Sequence, residues 1–176
     1  LNPDLIVKTG SPMDEVLQFY EPKINDSSIL SELGLKHDRY FLVSAHREEN
    51  IDSEKNIHLF HDVLNQLVEE YGLPIIVSTH PRTRKRINAL NMKFDPLVTL
   101  MKPLGFSDYV KLQMSAKVVL SDSGTITEES SILNFPAINL RDSQERPEGF
   151  EEGAVMLTGM SAERVLQAVS ILQDQA

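Results

Sequence analysis

The sequence predicts a doubly wound, Rossmann-like α/β domain spanning residues 1–176, with helices on both faces of a parallel sheet. Three observations predict it. Short apolar runs alternate with segments whose apolar residues recur every three or four positions, and such alternation builds parallel βαβ units. The runs are apolar throughout, as in strands covered on both faces. Polar, charged and glycine residues gather directly after the runs, at the strand ends where such sheets take their ligands.

The elements follow in order. "LIVKTG" reads as a short strand turning at Gly10. "SPMDEVLQFY" reads as a helix with Ser11 as N-cap, Pro12 at its first position, and Met13, Val16, Leu17 and Tyr20 on one face. "SSILSELGL" is a short helix closed by Gly34, and "YFLVSA" a buried strand. A helix over 57–71 carries Leu59, Phe60, Val63, Leu64, Leu67 and Val68 at helical spacing and stops at Gly72. "PIIVST" is a strand, 82–90 a helix, "LVTLM" a strand, 107–115 a helix and "KVVLS" a strand. A helix over 126–133, the strands "PAINL" and "AVML", and a helix over 161–173 complete the chain. Neither repeats, low-complexity linkers nor a second domain are visible.

Composition narrows the function. The net charge of −9 disfavours non-specific nucleic-acid binding, which requires neutralised phosphates, though it permits a local cationic site. With no cysteine there are no disulfides and no thiolate metal sites, which fits a reducing, cytoplasmic setting. The sequence shows neither a membrane-length apolar run nor a signal peptide. Its first residue is Leu1, and the chain is expected to be part of a longer protein.

Four strand ends are rich in polar groups. "HREEN" follows the "YFLVSA" run with His46 and Arg47; "HPRTRKR" follows "PIIVST" with His80 and Arg82; "DSGTITEE" follows "KVVLS"; and "RDSQERPEGFEEG" follows "PAINL" with Arg141 and Arg146. Gly124 would let the backbone turn sharply. Ser123 and Thr125 bring hydroxyls to a helix N-terminus, where free N–H groups and the helix dipole favour a phosphate. Glu128 or Glu129 could accept hydrogen bonds from a ribose diol. Each feature also has a plainer reading: Ser123 as a cap, the glutamates as complements to the dipole, His46 as a loop residue, "RTRKR" as a solvated helix face. Their gathering on one sheet edge points to a phosphorylated ligand and leaves its sugar open. His37, His46, His58, His61 and His80 form no convincing metal-ligand set.

"SAHREEN", "DSGTITEES" and "RDSQERPEGFEEG", with "TGSPMDEVL" and "PLGFSDYVKLQMSAKVVLSDSG", resemble the non-hydrolysing UDP-N-acetylglucosamine 2-epimerases over nearly the whole chain. The resemblance implies the C-terminal half of a two-domain, GT-B-type architecture, with the active site between two Rossmann-like halves. It implies interconversion of UDP-GlcNAc and UDP-ManNAc by anti elimination of UDP and re-addition to a 2-acetamidoglucal, without a redox cofactor. Residue by residue, it places His46, Arg47 and Arg146 near the sugar and diphosphate. Ser123, Gly124 and Thr125 fall on the phosphate, Glu129 on the ribose, Phe106 and Tyr109 at the uracil, and His80 among the UDP-binding residues. It implies a homodimer when full length, completed by the chain's own N-terminal domain, and an isolated fragment that binds UDP weakly and catalyses nothing. Two departures stand out. Ser-Gly-Thr replaces Ser-Gly-Gly, and "VSTHPRT" replaces a Val-His-x-Asn-Pro pattern that serves a regulatory site. Both resemble the branch that forms UDP-N-acetyl-L-fucosamine. A GT-B glycosyltransferase and a UDP-sugar binding module are the other readings.

Overall fold

The apolar runs become strands of one sheet. The computed structural model describes residues 10–45, 53–141 and 155–174. In chain order the elements are α1 (Met13–Asn25), α2 (Ile29–Glu32), β1 (Phe41–Ser44), α3 (Glu54–Tyr71), β2 (Ile75–Ser78), α4 (Pro81–Ala89) and β3 (Val98–Met101). They continue with α5 (Phe106–Ser115), β4 (Val118–Ser121), α6 (Ile126–Leu133), β5 (Ala137–Asn139), β6 (Val155–Leu157) and α7 (Ala162–Asp174). The expected strand at "LIVKTG" lies outside the described residues but for Gly10.

The strands lie in the order β3-β2-β1-β4-β5-β6, and every neighbouring pair is parallel. The expectation of a doubly wound parallel sheet therefore holds. One face carries Phe41, Val43, Ile75, Val77, Val118 and Leu120 against α3, α4 and α7, with Phe60, Leu64, Ile87 and Val165 among the interlocking side chains. The other carries Leu42, Ile76 and Val119 against α2, α5 and α6 through Ile29, Leu112 and Ile126. Adjacent residues of β1 thus point to opposite faces, and both are covered, which is why Phe41, Leu42 and Val43 are all apolar. The buried Tyr40 hydroxyl donates to the Leu112 carbonyl at 2.6 Å, tying the entry of β1 to α5. Burial pushes this phenol's pKa well up.

Two helices differ from the sequence expectation. α1 starts at Met13 with Pro12 at the cap, and the Ser11 hydroxyl accepts from Met13 N at 3.3 Å instead of capping a helix that begins beside it. It also runs past Tyr20 and through Pro22 to Asn25. Pro22 forfeits one helical hydrogen bond, yet Leu17 and Ile24, seven residues apart on one stripe, are both buried beside Val110. Burial of Ile24 is the gain that carries the helix across the proline. α3 begins at Glu54, a turn earlier than its apolar spacing shows, because Glu54 and Lys55 are exposed. Its start is set by Ser53, whose side chain accepts from Asn56 N at 3.0 Å. Its end is set by Gly72, at φ +59°, whose N–H reaches Val68 O at 2.8 Å. Ser53→Ala should therefore lower stability by about 1 kcal/mol, with Ser53→Asp retaining most of it. Urea unfolding of the two variants checks this, and equal losses would show that the cap is not responsible.

Candidate functional site

The strand order places a switch point between β1 and β4. From β1 the chain crosses to α3 on one face, and from β4 it crosses to α6 on the other. The connections diverge there and leave a crevice beyond the carboxyl ends of the strands. Polar residues line its floor. Ser78, Ser44, Ser121 and Asn139 occupy one register row across β2, β1, β4 and β5. All four terminate otherwise apolar strands, so the sheet changes from core to site at a single layer.

The turn after β4 borders this crevice. Asp122 is fully buried and its N–H donates to Ser44 O at 3.1 Å, bridging the two central strand ends. Ser123 N donates to Ser121 Oγ at 3.1 Å; Ser123 Oγ accepts from Thr125 N at 3.3 Å and lies 2.9 Å from Thr125 Oγ1. Thr125 is the N-cap of α6, with a helical backbone and no side-chain cap hydrogen bond. The cap role open to Ser123 thus falls to Thr125. Gly124 is absent from the positive-φ residues, so this turn does not use the left-handed freedom of glycine. Along this turn two serine hydroxyls, Ser121 Oγ and Ser123 Oγ, each accept from a backbone N–H.

The β3–α5 connection forms the opposite wall. A cleft of about 440 Å³ is lined by Ser44, Ser78, His80, Pro103, Leu104, Phe106 and Tyr109. His80 is the N-cap of α4, its Nδ1 accepting from Arg82 N at 3.3 Å. Phe106 is 40% exposed, so a flat partner can stack there without the core opening. Tyr109 hydrogen bonds to the Ser44 side chain. Burial first, and then the carboxylates of Glu129 and Asp122, push its pKa well up, so it is a neutral phenol at ordinary pH. Gln113, one turn further along α5, donates from Nε2 to Glu129 Oε2 at 2.5 Å. Glu128 accepts from the Ser11 hydroxyl instead, which separates the two neighbouring glutamates. A larger cavity, about 580 Å³, runs along the flank of α4 between Arg82 and Leu90; Arg82, Lys85 and Arg86 of "HPRTRKR" line it, and His80 does not. Its Arg82 and Lys85 are exposed, as expected of a solvated helix face.

The structure thus places His80, Phe106 and Tyr109 around one cleft, with Ser123, Gly124, Thr125 and Glu129 on the adjoining turn and helix. His46, Arg47 and Arg146 lie outside the described residues. Ser44, Ser78, Gln113, Asp122 and Asn139 were not singled out by sequence. The serines and the asparagine had one available signal, the polar residue closing an apolar run; Gln113 had none. Among the described residues no group of three or more His, Cys, Asp or Glu could hold a metal ion. Nor is any described helix long and apolar enough to cross a membrane.

A family model described as UDP-N-acetylglucosamine 2-epimerase matches residues 1–176. A curated UDP-N-acetylglucosamine 2-epimerase of Methanocaldococcus jannaschii is 39% identical over 143 residues, covering 78% of this chain and 39% of the relative. Among solved structures, the UDP-N-acetylglucosamine 2-epimerase of Rickettsia bellii superposes with a TM-score of 0.87 at 44% identity, over 99% of this chain and 46% of that one. The Methanocaldococcus jannaschii enzyme, solved in complex with UDP-GlcNAc and UDP, gives 0.87 at 31% identity over 97% of this chain and 49% of that one. The chain spans less than half the length of these relatives.

Proposed function

The chain belongs to the UDP-N-acetylglucosamine 2-epimerase family, and from that premise we propose that it is the nucleotide-binding half of an enzyme interconverting UDP-GlcNAc and UDP-ManNAc. The observation that carries the reading is the β1/β4 switch point, where polar strand ends, the turn Ser123–Thr125 and the cleft wall Phe106–Tyr109 converge. The diphosphate binds at the N-terminus of α6, where the Ser123 and Thr125 hydroxyls and the positive end of the helix dipole meet a negative charge. Uracil lies against Phe106 and Tyr109, and Glu129 accepts from the ribose. A crystal complex of a relative with UDP-GlcNAc and UDP supports a nucleotide site in this fold.

In sequence His46 and Arg47 follow β1 directly, and Arg146 follows β5. Here they supply positive charge and proton transfer at the sugar and diphosphate. The C2 proton has no adjacent carbonyl to acidify it. Departure of UDP from C1 must build positive charge there first, and that charge makes the C2 proton removable. Donors aimed at the leaving diphosphate stabilise that transition state. Tight hold on the nucleotide keeps UDP in place as both leaving group and returning nucleophile. A proton and UDP leave and return, so no redox cofactor is needed. A second Rossmann-like half closes the cleft and supplies the remaining acid and base, in a cytoplasmic homodimer.

The test is incubation of the intact enzyme with UDP-GlcNAc in deuterated water without any acceptor. Deuterium at C2 and appearance of UDP-ManNAc are expected; the 176-residue chain alone should give neither. A glycosyltransferase would show no C2 exchange, and that result would sink the epimerase reading. Thr125, whose side chain stands where the related motif has a bare glycine, favours a second substrate reading. In that reading the sugar is a UDP-2-acetamido-2,6-dideoxy-L-hexose, and the same exchange assay with that substrate decides.

A further inference from the structure

We propose that Gln113 is a positioning residue: it fixes the Glu129 carboxylate for a ribose diol and so makes the site selective for ribonucleotides over 2′-deoxyribonucleotides. The inference rests on the nucleotide reading above and adds a residue to it.

Gln113 is 1% exposed, on a helix that also buries Val110, Leu112 and, in its last turn, Ser115. Its Nε2 donates to Glu129 Oε2 at 2.5 Å. The amide orientation is fixed by chemistry: turned over, its oxygen would face a carboxylate oxygen at that distance with no proton between them. Its own Oε1 is buried and has no hydrogen-bond partner among the described residues. A buried amide with one end unsatisfied is a poor choice for packing, since an apolar side chain of similar volume would avoid the desolvation cost. The retained half is the one that holds Glu129.

The placement of Gln113 gives that contact a purpose. Phe106, Tyr109 and Gln113 follow one stripe of α5 at three- and four-residue spacing. The stripe runs from the open cleft, where Phe106 and Tyr109 stand, inward to the first turn of α6. Glu129 is half-buried and close enough to Tyr109 to raise its pKa. The bond from Gln113 to Oε2 restrains the carboxylate's rotation and leaves Oε1 for a ligand. A single fixed acceptor beside a neutral phenol suits a hydroxyl donor. Its two lone pairs can accept from two adjacent hydroxyls, and a 2′-deoxyribose lacks one of them. Neighbouring Glu128 cannot substitute, because it is engaged by Ser11 at the start of α1.

The test compares dissociation constants of UDP and 2′-deoxyuridine diphosphate for the intact enzyme by calorimetry. The wild type should prefer UDP by about tenfold or more, the worth of a hydrogen bond to a charged group. Gln113→Met removes the donor at similar volume, and Gln113→Asn withdraws it by one methylene. Each should bring the ratio of the two constants to within about threefold of unity. A purely structural loss weakens both ligands alike and leaves the ratio unchanged, which would overturn the positioning role while leaving the nucleotide reading intact. A wild type that binds UDP but shows no preference would instead remove Glu129 from the ribose, and the proposal with it. A wild type that binds neither ligand would defeat the nucleotide reading itself. If either variant melts early, the wild type still decides the matter. The Gln113 side-chain amide resonances should shift on adding UDP and stay put on adding inorganic diphosphate, and equal shifts with both would refute the assignment.

Discussion

Glu129→Ala is expected to weaken UDP binding by about 10- to 100-fold while inorganic diphosphate binds as well as before or slightly better. The two halves of this prediction have different causes. A carboxylate accepting from a ligand hydroxyl makes a charge-assisted hydrogen bond, roughly twice as strong as a neutral one. Its removal costs the nucleoside part of the ligand. The same carboxylate stands in the first turn of α6, near the helix end that favours anions. Deleting a negative charge there removes a repulsion, so the bare diphosphate should not suffer. If Glu129 merely complements the helix dipole, its loss destabilises the helix and leaves the contrast between the two ligands unchanged. Calorimetric titration with both ligands separates the cases. Equal affinity of wild type and variant for UDP would refute the ribose assignment. Part of any fall in melting temperature has a separate origin, because Gln113 Nε2 loses its partner.

The residues that sequence could place and those it could not differ in the range of the interactions that define them. β1, β2 and β4 were plain because burial on both faces admits only apolar side chains, and that demand is written locally in "FLVS", "IIVS" and "VVLS". The ligand edge followed from the same runs, since a parallel sheet fixes which end of each strand carries the site. The ends of α1 and α3 were less clear. Pro22 argues against a helix on local grounds, and only the contact of Ile24 with Leu17 and Val110 overrides it. The exposed first turn of α3 carries no apolar period, and Ser53 is one cap candidate among several polar neighbours. In the candidate site, Ser123, Thr125 and Glu129 can be picked out as candidates because turn, cap and first helical turn adjoin in sequence. The Gln113–Glu129 pair joins two helices across sixteen residues, and nothing in "KLQMSA" marks its glutamine as buried and paired. The branching of the two glutamates, Glu128 to Ser11 and Glu129 to Gln113, is a product of tertiary packing alone.

Phe41→Ala should cost about 3–5 kcal/mol, the largest stability loss expected of any substitution considered. Phe41 is fully buried, in β1, between Ile75 of β2 and Val118 of β4. Its ring meets that of Tyr71, at the end of α3, with centroids 5.3 Å apart and planes at 60°. Alanine would leave a cavity under the middle of the sheet, walled by a strand and a helix that cannot both move in to fill it. Phe19→Ala provides the contrast: Phe19 is 74% exposed, and its loss should stay within about 0.5 kcal/mol. A domain of this kind has only about 5–15 kcal/mol in total, so the Phe41 variant should approach the threshold of folding. Urea unfolding of both variants checks the pair, and a loss below about 1 kcal/mol at Phe41 would show that the core relaxes around it. Because β1 ends at Ser44, on the floor of the cleft, the same strand couples stability to ligand. A ligand that binds only the folded state returns about 2.7 kcal/mol at a hundredfold excess over its dissociation constant. UDP should therefore recover much of what Phe41→Ala loses, in proportion to the logarithm of its concentration. Failure to do so, in a variant that still folds at low temperature, would mean that the cavity deforms the strand ends as well as weakening the core.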